Sequence, residues 1–309
     1  MSRPPLNIAI LFHYHQPFYK DPSSGFFHMP WVRLHAIKDY LDMVAMVESF
    51  DGLKVNFNVV PSLMVQLEDY AHGAMDRHLQ LTLRPAGELS REERIEVLAD
   101  FFKCNYDTMI APYPRYAQLM EKRGAHPDRA SLERRAALFS VQELQDLLVW
   151  SNLTWFDPWW RRRDPVVRSL FERGRGFTHG DAIALVEVQR RICGEVVPTM
   201  RRLQDAGCIE VSVSPFYHPI LPLLCDSDRA KESSTRRTEF PRRYAHPEDA
   251  ERQIRDAVAC YAERFGRPPR GMWPSEGAVS DDVLPLMAAA GISWFATDEE
   301  ILWLSLKRA

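Results

Sequence analysis

Five short apolar runs, each ending in polar or aromatic residues, constrain the fold of this chain more than any other feature. They are "NIAILFHYH" (7–15), "KVNFNVVPS" (54–62), "IEVSVSPFYH" (209–218), "PRGMWPSE" (269–276) and "ISWFATDEE" (292–300). Runs of this length between turn residues read as buried strands. Polar groups gathered at strand ends are the layout of α/β barrels and open parallel sheets, whose sites lie at the carboxyl ends of the strands.

Helices fill the intervals. The clearest is expected from Pro247 to Phe265, with proline in the first turn and Glu248 and Asp249 facing the helix dipole. Its apolar stripe is Ala250, Ile254, Ala257, Val258, Tyr261 and Phe265, and Gly266 ends it. Ser90 and Glu93 make a capping box ahead of "RIEVLADFFKCNY". The stretch 63–206 holds no convincing strand and reads as a helical insertion of roughly 140 residues between the second and third strands. Pro198 is expected to kink or end its last helix. With no internal repeat or flexible linker, residues 1–309 read as a single catalytic-barrel domain carrying that insertion.

Composition narrows the function classes. At 46% hydrophobic and 11% aromatic over 309 residues, the chain can bury a large core. Its 39 basic and 42 acidic residues are dispersed, leaving a net charge of −3 and no footprint for nucleic acid or an anionic membrane. The one basic cluster, Arg161, Arg162, Arg163 and Arg168, reads as a solvated face. Cys104, Cys193, Cys208, Cys225 and Cys260 form no Cys-x-x-Cys pair, which argues against a disulfide framework or zinc knuckle and fits a cytoplasmic protein. The apolar run Ile8 to Phe12 is too short for a secretory signal, and no later run reaches the length of a membrane span.

The strand tips carry the chemistry. His13 and His15, two apart on a strand, point to the same side. They open a metal site if partners such as His218 or Asp298 arrive from other strands, or they bond sugar hydroxyls with Gln16 adding an amide. Tyr217 and His218 follow the third strand, and prolines fix the chain direction after them. Trp155, Trp159 and Trp160 are either a sugar-stacking platform or the core face of a helix. Glu276 sits between the stiff pair Trp273–Pro274 and Gly277, with Ser280, Asp281 and Asp282 reading as the next helix start. An acid held on such a turn suits a group that must meet one target atom. Asp298 lies 22 residues on, at the neighbouring tip. Two carboxyl groups about 5–5.5 Å apart are the mark of a retaining glycosidase.

At these residues the chain resembles glycoside hydrolase family 57, the α-amylase, amylopullulanase and 4-α-glucanotransferase group. "HYHQP", "IEVSVSPFYHPILPLL", "GMWPSEGAVS" and "FATDEE" are similar, in order, to its successive motifs. The resemblance implies a (β/α)7 barrel, a retaining mechanism, α-1,4-glucan substrates and no cofactor. It implies that Glu276 is the nucleophile and that His13, His15, Trp273 and Asp298 line the subsite of the reacting sugar. Gln16, Tyr217 and His218 join them as expected substrate contacts.

One departure shapes the expectation. The family's acid/base is an aspartate in a later motif, of the type Asp-Gly-Glu-Asn or Asp-Asp-Gly-Glu, and nothing of that type follows "FATDEE". The chain therefore reads as the N-terminal part of a catalytic domain, an incomplete (β/α)7 barrel of α/β class, with Asp298 as acid/base or subsite residue. Two other functions stand beside this one. The first is a metal-dependent hydrolase such as a carbohydrate deacetylase, using His13, His15 and Asp298; the second is a non-catalytic glucan-binding fragment.

Overall fold

All five apolar runs form strands, in the expected order. In the computed structural model, which describes residues 6–233 and 239–308, they are β1 (Leu11–Tyr14), β2 (Val55–Val59), β3 (Ile209–Val213), β4 (Gly271–Met272) and β5 (Trp294–Phe295). They pair in sequence order as one sheet, every pairing parallel. The fold is α/β, with helices in the connections.

The chain divides into two compact units. One is Met1–Phe18, Met46–Gln66 and Val197–Ala309 and carries the sheet; the other is Tyr19–Ala45 and Leu67–Val196 and is built from helices. The helical unit thus draws on the β1–β2 connection as well as the β2–β3 connection. The first of these holds a helical segment running unbroken from Trp31 to Ser49, α-helical at Trp31–His35 and Leu41–Met46 with a π-helical turn at Ala36–Tyr40 between them, which interrupts the 3.6-residue period.

The sheet has two chemically different faces. Register aligns Phe12 with Phe57 and Val211, and Tyr14 with Val59, Val213 and Met272. The opposite face carries His13, Asn58 and Ser212 in one row. Buried parallel strands are ordinarily apolar on both sides, so a polar row on a parallel sheet marks the side that serves another purpose. Gly271 belongs to that face, where a Cβ would run into the Trp294 ring at 2.1 Å. The indole lies across the bare glycine and donates to Glu210 Oε1 at 3.1 Å.

Helices sheathe the apolar face. Helix Pro247–Phe265 has the bounds read from sequence and ends on Gly266 at φ 72°. It buries Ala250, Ile254, Ala257, Tyr261 and Phe265, with Cys260 joining the stripe. Tyr261 donates to Val211 O at 2.9 Å, tying the helix to β3. The capping box at Ser90 forms as expected. Pro198 does not end its helix, which runs on from His179 to Asp205. Val196, Met200 and Leu203 are buried around the proline, and that burial outweighs the roughly 3 kcal/mol an interior proline costs.

The helical unit is organised around a fully buried charge. Arg33 pairs with Asp76 and donates to Asn152 Oδ1 at 2.9 Å and Gln189 Oε1 at 2.6 Å. Asp76 in turn accepts from Tyr70 at 2.8 Å and caps the next helix through Leu79 N at 2.7 Å. Trp155 and Trp160 are buried in this unit, and Arg163 lies over the Trp159 ring, so this aromatic cluster is core and surface packing. Arg33→Met leaves Asp76 without its cation and is expected to cost about 3–5 kcal/mol in urea unfolding. A loss below about 1 kcal/mol would show that the network does not hold the unit together.

Candidate active site

Parallel pairing places every strand tip at one edge of the sheet. Three of these tips build a cluster. His13 from β1, His15 just beyond it, His218 after β3 and Trp273 after β4 stand against one another. Ring centroids are 5.1 Å apart for His13 and His218, 4.2 Å for His15 and His218, and 5.5 Å for His13 and Trp273, the last pair nearly parallel.

The row beneath orients the first histidine. Asn58 is buried, and its Oδ1 lies 2.6 Å from His13 Nδ1. Ser214 donates to the same oxygen at 2.9 Å, while Asn58 Nδ2 donates to Ser212 at 3.1 Å. With the Asn58 oxygen facing the ring, a neutral His13 carries its proton on Nδ1 and offers its Nε2 lone pair. Asn58, Ser212 and Ser214 were missed in the sequence because they sit inside runs that read as apolar strands.

Two residues other than glycine adopt left-handed backbone among the described residues, and both belong here: His218 at φ 58° and Glu276 at φ 56°. Such conformations cost about 1–3 kcal/mol each and persist where surroundings over-determine them. The loop carrying His218 is pinned by Tyr217 N to Gln253 Oε1 at 2.9 Å and His218 N to Pro215 O at 2.9 Å. The turn carrying Glu276 is pinned by Trp273 N to Val213 O at 2.9 Å and Thr297 Oγ1 to Gly277 O at 2.7 Å. Gly277, itself at φ 67°, brings the turn against the backbone of Thr297 and Asp298, 3.6 Å from where a Cβ would stand.

The result is an exposed carboxylate beside a buried imidazole. The Glu276 side chain is 75% exposed, and its Oε1 is 4.0 Å from His218 Nδ1, whose side chain is 5% exposed. Burial first, then the neighbouring His15 and His13, pushes His218 down to about 3. Burial and His13 also hold His15 below the ordinary histidine value. Both rings are neutral at pH 7, so Glu276 faces a polar, uncharged imidazole.

The remaining expected residues are placed as follows. Tyr217 is exposed and meets the Phe18 ring edge-on at 5.2 Å. Gln16 is half-buried at the β1 tip. Asp298 is exposed, and its Oδ1 accepts from Glu300 N at 2.8 Å at the start of helix Glu299–Arg308. Among the described residues the cluster able to hold a metal is His13, His15 and His218, without Asp298. The helix expected from Ser280 begins at Val283.

Comparison with known proteins decides the family. The model described as glycosyl hydrolase family 57 matches residues 9–308. The chain belongs to glycosyl hydrolase family 57. A 1,4-α-glucan branching enzyme of Thermococcus kodakarensis is 32% identical over 89 residues, 29% of this family 57 chain and 10% of that protein. Alpha-amylase 1 of Dictyoglomus thermophilum is 25% identical over 105 residues, 34% of this chain and 12% of that one. Among solved structures, the α-amylase AmyC of Thermotoga maritima aligns with 96% of this chain and 40% of its own at 15% identity, TM-score 0.48. The matched segments thus span about a tenth of the curated relatives and two fifths of the solved one.

Burial of neutral His218 has a pH signature. Its folded value lies below the unfolded value of 6.5, so the unfolded chain binds the extra proton between them. Stability is therefore lost as pH falls from 6.5 toward 3. His218→Asn keeps a residue tolerant of left-handed backbone and removes the titrating ring. The slope of unfolding free energy against pH in this window is expected to fall by up to about 1.4 kcal/mol per pH unit. An unchanged slope in urea titrations would show that His218 is protonated in the folded chain.

Proposed function

We propose that this chain carries the nucleophile and reacting-sugar subsite of a retaining enzyme acting on α-1,4-glucans. Family membership supports the class of reaction. The observation that carries the residue assignment is Glu276, an exposed carboxylate on a left-handed turn at the β4 tip, between Trp273 and the imidazoles of the polar face. In this reading a glucose ring sits on the polar face, with Trp273 under its C–H surface and His13, His15 and His218 at its hydroxyls. A Glu276 oxygen attacks the anomeric carbon as the glycosidic bond breaks, and the leaving oxygen takes a proton, for which Asp298, exposed at the next strand tip, is the candidate donor. The β-glucosyl ester is then resolved by water, giving hydrolysis, or by a sugar hydroxyl, giving transfer.

The strand arrangement supports a wider architectural proposal, that the five strands are one arc of a (β/α)7 barrel. Both edges of the sheet lie beside exposed apolar side chains: Ile8 and Ile10 ahead of β1, and Phe295, Leu302 and Trp303 at and after β5. Such edges are ordinarily paired or covered. No helix among the described residues is long and apolar enough to cross a membrane. The five cysteines are free thiols, which supports a reducing, cytoplasmic setting.

Azide rescue tests the role of Glu276. In Glu276→Gly, azide occupies the space of the lost carboxylate and attacks α-glucosyl fluoride, whose fluoride leaves without a proton donor. The expected product is β-glucosyl azide, formed by the variant and absent with the unmutated chain. An α-configured azide, or no azide product from a folded variant, would remove Glu276 from the nucleophile role.

A further inference from the structure

The three histidines offer a second chemistry at the same place. One ring nitrogen of each of His13, His15 and His218 lies within 4.8 Å of the others. Two features point to a ligand. His218 is almost wholly buried, yet its Nε2 has no hydrogen-bond partner among the described residues. His13 is tied through Nδ1 to Asn58, the arrangement by which a neighbouring acceptor fixes the tautomer and aims the other nitrogen of a metal-binding histidine.

We propose that His13, His15 and His218 capture a divalent transition-metal ion of the zinc class, with Glu276 closing the coordination sphere, and that the bound ion shuts the site to sugar. Three imidazoles select zinc, cobalt, nickel or copper over magnesium and calcium, which prefer oxygen. Tetrahedral ligands about 2.0–2.1 Å from zinc stand roughly 3.3–3.4 Å apart, so the rings must draw inward from 4.8 Å by side-chain rotation. Three protein nitrogens leave one position open, and an exposed carboxylate, that of Glu276, lies 4.0 Å from His218 on its Nδ1 side. An ion held there neutralises the carboxylate and occupies the polar face. The loss of activity rests on the glycosidase reading; the binding does not.

Cobalt(II) titration of the metal-free chain tests the site, because four-coordinate cobalt absorbs visible light strongly. One equivalent is expected to bind, to be displaced by zinc(II), and to be unaffected by excess magnesium. Asn58→Ala is expected to weaken binding about 10- to 100-fold, and His218→Asn to weaken it further. Turnover of α-glucosyl fluoride should fall in step with occupancy and return on adding EDTA. No cobalt spectrum at excess metal, undiminished binding by folded His218→Asn, or higher turnover with metal bound would overturn the proposal. Binding with these variant effects, but no turnover with or without metal, would support the site and refute the glycosidase reading instead.

Discussion

His13, Asn58 and Ser212 stand side by side because β1, β2 and β3 pair in parallel at one register. The polar row exists only at that register. A slip of one residue would bring Phe57 beside His13 and send Asn58 to the apolar side. The apolar partners, Tyr14 with Val59 and Val213, secure the register from the opposite face. Core packing on one side of the sheet thus holds the hydrogen-bond chain on the other, and that chain sets which nitrogen His13 presents.

Backbone strain is concentrated at the proposed site. His218 and Glu276 both take left-handed backbone, and each is held there by bonds from a different neighbour: Gln253 for the His218 loop, Thr297 for the Glu276 turn. The two loops approach to 4.0 Å, between an imidazole kept neutral by burial and a carboxylate left open to solvent. The same geometry suits a sugar, whose hydroxyls bond neutral imidazoles, and a soft cation, which the lone pairs of those imidazoles bind.

Much of this was legible in the chain, for identifiable reasons. Strand runs are bounded by turn residues, and helix Pro247–Phe265 carries both its start and its stop signals, so element order and that helix's limits could be read. Glu276 announced itself through Trp273, Pro274 and Gly277. Asn58 did not, since an asparagine inside an apolar run has no local signal; its role comes from the register with His13 and Ser212. The left-handed turn at His218 was equally hidden, because no glycine marks it. The helix in Tyr19–Ala45 is interrupted by a π-helical turn that breaks its period, and its place in the helical unit depends on Arg33 reaching Asp76, Asn152 and Gln189, contacts remote in sequence.

The central claim is that Glu276 forms a bond to sugar. Incubating the chain with a fluorinated α-glucosyl fluoride, whose ring fluorine slows release of the ester, and mapping the labelled peptide by mass spectrometry tests it directly. The account predicts a single fluoroglucosyl adduct on Glu276. An adduct on another residue, or none from a chain that turns over the unfluorinated sugar fluoride, would contradict it.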